Sequence, residues 1–190
     1  MGTVECGPRM VPDAPETVSR MVTHTGPVFR VESLEVRDST GRVFRRDVVR
    51  HPGAVTTVAE LADGRLVLVR NKRIAVGREL LEFCAGKLER GEDPAAAAAR
   101  ELEEECGYRA ARVEPIGTYF TSPGFADERM HAFVATGLEP IPRRLEPGEE
   151  LEVEILAADE IERRIATGAM EDGKSIAAFF LWRLFRKARP

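Results

Sequence analysis

Four glutamates crowd the end of one helix-forming run, at positions 101, 103, 104 and 105 of PAAAAARELEEECGY (residues 94–108). At about 100° per residue, Glu101, Glu104 and Glu105 share one helix face, while Glu103 points roughly the opposite way. Three carboxylates at a helix C-terminus repel one another and meet the negative end of the helix dipole. A divalent cation bound through oxygen ligands is the natural group to offset that charge. The alternative for a bare Glu-Glu-Glu run is a solvated acidic face, and the residues around it argue against that.

The elements that must position these acids have clear ends. Asp93 can cap the first helical turn, Pro94 sits where a missing N–H costs nothing, and Gly107 suits a left-handed residue past the last turn. Ala95, Ala98, Ala99, Leu102 and Cys106 form an apolar stripe that predicts burial against a sheet. Upstream, Leu80 to Phe83 reads as a short strand delivering Cys84-Ala85-Gly86, and Gly86 allows close backbone approach.

The whole stretch has a fixed pattern: Gly86, five residues, Glu92, seven residues, then Arg100-Glu101-Leu102, one residue, Glu104-Glu105, one residue and Gly107. It resembles the Nudix box, the motif of hydrolases that cleave nucleoside diphosphates linked to another moiety. Tyr108 departs softly from it, standing where an aliphatic residue is more usual. The resemblance implies an α/β fold, a Nudix-type α/β/α sandwich with a mixed sheet. It also implies Mg²⁺, with Mn²⁺ as a substitute, held by Glu101, Glu104, Glu105 and the Ala85 carbonyl. Arg100 is expected to pair with Glu92 or a neighbouring carboxylate, and Gly86 to support the site from behind.

Two further segments resemble the ADP-ribose pyrophosphatase branch of that family. One is His51-Pro52-Gly53-Ala54-Val55, the entry to the main domain; the other is Thr121-Ser122-Pro123-Gly124-Phe125-Ala126-Asp127-Glu128. Ser122 and Gly124 are therefore candidate substrate contacts. So are Arg73 and Arg70, from the basic run Arg70-Asn71-Lys72-Arg73, because guanidinium suits phosphate partners. A proline-rich loop over residues 140–148 precedes Glu149 and Glu150. The resemblance implies a loop glutamate acting as base or late metal ligand, and Glu146, Glu149 and Glu150 all qualify. Glu104 and Glu105 are the candidates on the helix.

Residues 1–25 carry no periodicity and are expected to form a flexible tail. Residues 26–52 read as a β-hairpin around Asp38-Ser39-Thr40-Gly41, and residues 53–190 as the hydrolase domain. An isolated hairpin is marginal in water, so it must lean on its own domain or on a second subunit; the resemblance implies a homodimer. Helices are predicted over 158–166 and 175–187.

With 28 basic and 32 acidic side chains and a net charge of −4, the chain has no broad basic footprint for nucleic acid. No apolar run is long enough to span a membrane. Cys6, Cys84 and Cys106 form no CxxC pair, which points to free thiols, a cytoplasmic protein and no zinc site. The leading function is Mg²⁺-dependent hydrolysis of ADP-ribose to AMP and ribose 5-phosphate. The alternatives are another UDP- or GDP-sugar diphosphatase, and a domain that binds nucleotide without cutting it.

Overall fold

Leu66-Val67-Leu68-Val69 is apolar at every position, the pattern of a strand covered on both faces rather than one. In the computed structural model, which describes residues 15–145, 148 and 150–189, all four are buried in strand β5 (Leu66–Arg73). Leu66 and Leu68 face one core and Val67 and Val69 the other. The described chain divides into two compact units: one of residues up to His51 together with Gly124–Ala126, the other of Pro52–Pro123 and Asp127 onward.

The smaller unit is a three-stranded antiparallel sheet of β1 (Glu16–Thr25), β2 (Arg30–Arg37) and β3 (Val43–Arg50), in that order. Residues 16–25 thus differ from the predicted tail: they pair with β2 along its whole length, and this supplies the order that their sequence periodicity does not. The β2–β3 turn is built by Asp38, whose Oδ1 accepts from the Thr40 and Arg42 N–H groups at 2.9 and 3.0 Å. Glu32 is buried in β2 and accepts from Arg50 at 2.8 Å and Arg30 at 3.0 Å. The segment Gly124–Ala126 joins this unit through β3, where the Val49 N–H donates to the Phe125 carbonyl at 2.8 Å.

The larger unit is built on a seven-stranded mixed sheet. Its path runs β10 (Leu151–Leu156), β5, β4 (Ala54–Glu60), β9 (Arg129–Pro140), β8 (Tyr108–Phe120). Two short strands lie off it, β6 (Arg78–Glu82) on β5 and β7 (Cys84–Lys87) on β4. The β4–β9 pair is parallel and the others antiparallel. Helices α2 (Ala158–Ala166) and α3 (Gly173–Ala188) cover one face, through Ile161, Phe179 and Trp182 on Leu66, Leu68 and Phe83. The opposite face carries α1 (Pro94–Glu101), where Ala97, Ala98 and Leu102 bury against β4, β5 and β9. This is the expected α/β/α arrangement.

Trp182 anchors α3. Its ring stacks on Phe179 at 5.5 Å between centroids, and its indole N–H donates to buried Glu60 at 3.0 Å. Arg186 reaches the other oxygen of Glu60 at 3.2 Å, so the carboxylate at the end of β4 is charge-paired as well as hydrogen-bonded.

Candidate active site

Helix α1 starts as its sequence dictates. Asp93 Oδ1 accepts from the Ala95 and Ala96 N–H groups at 3.0 and 3.1 Å, with Pro94 in the first turn. Its end is less ordinary. From Leu102 to Cys106 the chain opens into a single π turn, closed by Gly107 at φ 72°. Uniform 100° spacing therefore does not hold across the glutamates, and π turns recur at functional sites.

Two acids face inward here, Glu101 from the last turn of α1 and Glu105 from within the π turn. Glu101 is 9% and Glu105 4% exposed, so these carboxylates are buried rather than solvated. Both meet β7. Glu105 Oε2 accepts from the Ala85 N–H at 3.1 Å. A Cβ on Gly86 would lie 1.9 Å from the Glu101 carboxyl carbon, so only glycine lets the strand pass there.

Arg100 holds the acidic group together. Its Nε and Nη2 donate to Glu92 Oε1 and Oε2 at 3.0 and 3.1 Å, while Nη1 donates to Glu101 at 2.8 Å and Glu104 at 3.1 Å. This hub keeps the guanidinium pKa well above its ordinary value, with the Glu92 hydrogen bonds as the main cause. The same contact holds Glu92 below the usual carboxylate range. Glu103 faces away and pairs with Arg109 at 2.8 Å. The chain beyond the sheet satisfies the helix-end carbonyls: the Arg144 N–H donates to Glu104 O and the Ile141 N–H to Gly107 O, at 3.2 and 2.8 Å. Arginine and backbone donors thus carry part of the compensation that the sequence alone assigned to a metal.

Among the described residues, no three His, Cys, Asp or Glu side chains are gathered closely enough to hold a metal ion as they stand. The donor set nevertheless fits a hard divalent cation. It offers only carboxylate and backbone oxygens, and Gly86 keeps the space beside Glu101 clear of a side chain. Cys84 and Cys106 are buried free thiols on the adjoining apolar side, and the hydrogen bond between them, then burial, pushes the Cys84 thiol pKa up.

The other predicted site residues fall in several places. Arg70 and Arg73 lie within β5. Arg70 is taken up by Glu154 at 2.7 Å and Glu79 at 3.4 Å. Arg73 makes a two-pronged bond to Glu82 through Nε at 2.7 Å and Nη2 at 2.5 Å, and 40% of its side chain stays exposed. Glu150 is ion-paired with Lys72 beside the start of β10, and that pairing lowers its pKa. Glu146 and Glu149 lie outside the described residues. Ser122 lines a cavity of about 440 Å³ with Thr121, Glu128, Asp172 and Lys174. Gly124 instead belongs to the smaller unit.

Sequence reading missed a second charged cluster. Glu82, 1% exposed, is bonded by both Arg73 and Lys174, and Lys174 also pairs with Asp172 at 2.8 Å. The available signal was one acid inside the apolar strand Leu80-Leu81-Glu82-Phe83, but nothing in linear spacing connects it to Lys174.

Comparison with known proteins agrees with this geometry. The NUDIX domain model matches residues 50–179. The chain is 38% identical over 141 residues to ADP-ribose pyrophosphatase of Bacillus subtilis, covering 74% of this chain and 76% of that protein. It is 36% identical over 165 residues to the methanol dehydrogenase activator of Bacillus methanolicus, covering 86% and 89%. GDP-mannose pyrophosphatase of Cronobacter sakazakii is 30% identical over 161 residues, covering 74% and 83%. A crystal structure of an ADP compounds hydrolase superposes with a TM-score of 0.80 at 24% identity, covering 92% of this chain and 95% of that one. With its box intact and its acids turned onto β7, the chain belongs to the Nudix family of hydrolases.

Proposed function

We propose that the protein hydrolyses the diphosphate bond of ADP-ribose, giving AMP and ribose 5-phosphate, with Mg²⁺ as cofactor and Mn²⁺ as a substitute. The observation that carries this reading is the seating of Glu101 and Glu105 against Ala85 and Gly86, within a chain similar to an ADP-ribose pyrophosphatase over three quarters of its length.

Glu101, Glu104, Glu105 and the Ala85 carbonyl would hold the cation. Bound there, it supplies charge neutralisation for the phosphoryl oxygens and acidifies a water. The chain's own residues do the rest. Arg100 fixes the acids through Glu92, in the manner of groups that orient metal ligands. Glu104, one quarter exposed, is the helix acid placed to take a proton from water; Glu146, Glu149 and Glu150 are the loop candidates. Arg73 presents its outer edge to the diphosphate, and Ser122 contributes to the pocket for the linked sugar. The smaller β unit serves as a dimerisation region and the protein works in the cytoplasm.

Similarity to a GDP-mannose pyrophosphatase supports a second substrate, a GDP-sugar, handled by the same chemistry. Product analysis separates the two. Purified protein is supplied with ADP-ribose, UDP-glucose or GDP-mannose, with and without Mg²⁺. Metal-dependent AMP and ribose 5-phosphate as the fastest products support ADP-ribose. Faster release of GMP and a sugar phosphate replaces the substrate but keeps the site.

A further inference from the structure

The cluster at the start of α3 contains two cations and two anions. Glu82 receives Arg73 at both oxygens and Lys174 at Oε2. Lys174 Nζ also donates to Asp172 Oδ2 at 2.8 Å. Lys174 and Asp172 are each only 14% exposed at the side chain. Asp172 is the α3 N-cap, accepting from the Ser175 N–H at 3.0 Å. Ser175 Oγ in turn accepts from the Phe83 N–H at 2.8 Å, and the Tyr119 hydroxyl donates to the Lys174 carbonyl at 2.7 Å. The first turn of α3 is thereby stitched to the β6 end, next to Cys84 and Ala85.

The charges decide what Arg73 can offer. Glu82 alone neutralises it, and Asp172 adds a second negative field at its guanidinium. Lys174 is the cation that cancels Asp172. It stands on the wall of the 440 Å³ cavity that also holds Ser122. We propose that Lys174 is a positioning residue for anion recognition by Arg73. By occupying Glu82 Oε2 and offsetting Asp172, it holds the guanidinium fork in one orientation and leaves its positive potential available to the substrate diphosphate. This rests on the diphosphatase reading above.

The test compares Lys174→Met, Lys174→Arg and the double variant Lys174→Met/Asp172→Asn with the wild-type chain. It measures kcat and KM on the fastest nucleotide diphosphate, Kd for its α,β-methylene analogue, and Tm. Lys174→Met is expected to raise KM and Kd about tenfold with kcat within about twofold, as loss of uniform binding does. Lys174→Arg and the double variant, which keep or restore the charge balance, should return both near wild type. A drop in Tm with KM and Kd unchanged overturns the proposal, and so does a double variant no better than Lys174→Met. Should Lys174→Met not fold, the double variant decides alone: normal KM upholds the proposal and a tenfold rise overturns it. A wild-type protein that neither cleaves nor binds any such nucleotide overturns the diphosphatase reading itself, and this inference with it.

Discussion

Arg100 and Glu92, eight residues apart in sequence, meet in a two-pronged ion pair with both contacts near 3 Å. The remaining Nη1 of Arg100 is shared by Glu101 and Glu104. One planar guanidinium thus sets the spacing of three acids. Lysine, a point charge on a flexible stem, cannot reproduce that fork. Arg100→Lys is expected to lower activity by about 10- to 100-fold, the cost typical of losing a group that orients metal ligands. Much of it should be recovered at high Mg²⁺. Kinetics across a Mg²⁺ titration check this; a loss untouched by Mg²⁺ would place the role of Arg100 elsewhere.

Glu105→Gln keeps an oxygen for the Ala85 N–H but removes the negative charge. The fold should survive, and turnover should fall by about 10²-fold or more if the carboxylate helps hold the cation that neutralises the phosphoryl oxygens. Circular dichroism and kcat on the same preparation separate the two effects. Full activity would remove Glu105 from the site.

Gly86→Ala tests the close approach of β7 to Glu101. The added methyl would overlap that carboxyl group, so the side chain must leave its place. Weaker Mg²⁺ dependence and activity reduced at least tenfold are expected, with Tm changed far less than by a core deletion. An unchanged Mg²⁺ profile would show that Glu101 is free to sit elsewhere.

The framework of this site was legible in the sequence because local rules acted without competition. Asp93 and Pro94 set the start of α1, and Gly107 its end. The apolar run Leu66–Val69 announced a short strand. What escaped reading depends on distant partners. Strand β1 is ordered by pairing with β2, and its ten residues are all exposed, so no burial pattern marks it. Ideal-helix spacing put Glu101 and Glu105 on one face, but it did not foretell the π turn at Leu102–Cys106 or the burial of both carboxylates against β7. The bond between Glu82 and Lys174 joins positions 92 apart. The docking of Phe125 on Val49 likewise needed the fold.

Trp182→Ala should destabilise the protein by about 3–5 kcal/mol, the usual cost of emptying an aromatic core position. Trp182→Phe, which keeps the ring but strands Glu60 without its N–H donor, should cost about 1–3 kcal/mol. Denaturant melts measure both, and kcat of the phenylalanine variant should stay close to wild type. Equal losses for the two would mean that the Glu60 bond, not packing, holds α3.

Glu32 gives a pH signature in the smaller unit. Hydrogen bonds from Arg50, then Arg30, hold its carboxyl below the usual carboxylate range. A depressed carboxylate contributes stability above its unfolded pKa and loses it as pH falls through the folded value. The wild type should therefore lose stability more steeply below pH 4.5 than Glu32→Gln, the two converging in acid. Tm followed from pH 6 to pH 2 checks the slope; parallel curves would refute the linkage.

The widened turn at Leu102–Cys106 also constrains how this chain can change length. It inserts a phase shift between the acids ahead of it and those within it. Deleting one residue there would let the backbone relax into ordinary helix and change the angle between Glu101 and Glu105 as they meet β7. Such a variant could keep every glutamate and most of its helical content and still be inert, so sequence length across 102–106 matters as much as composition.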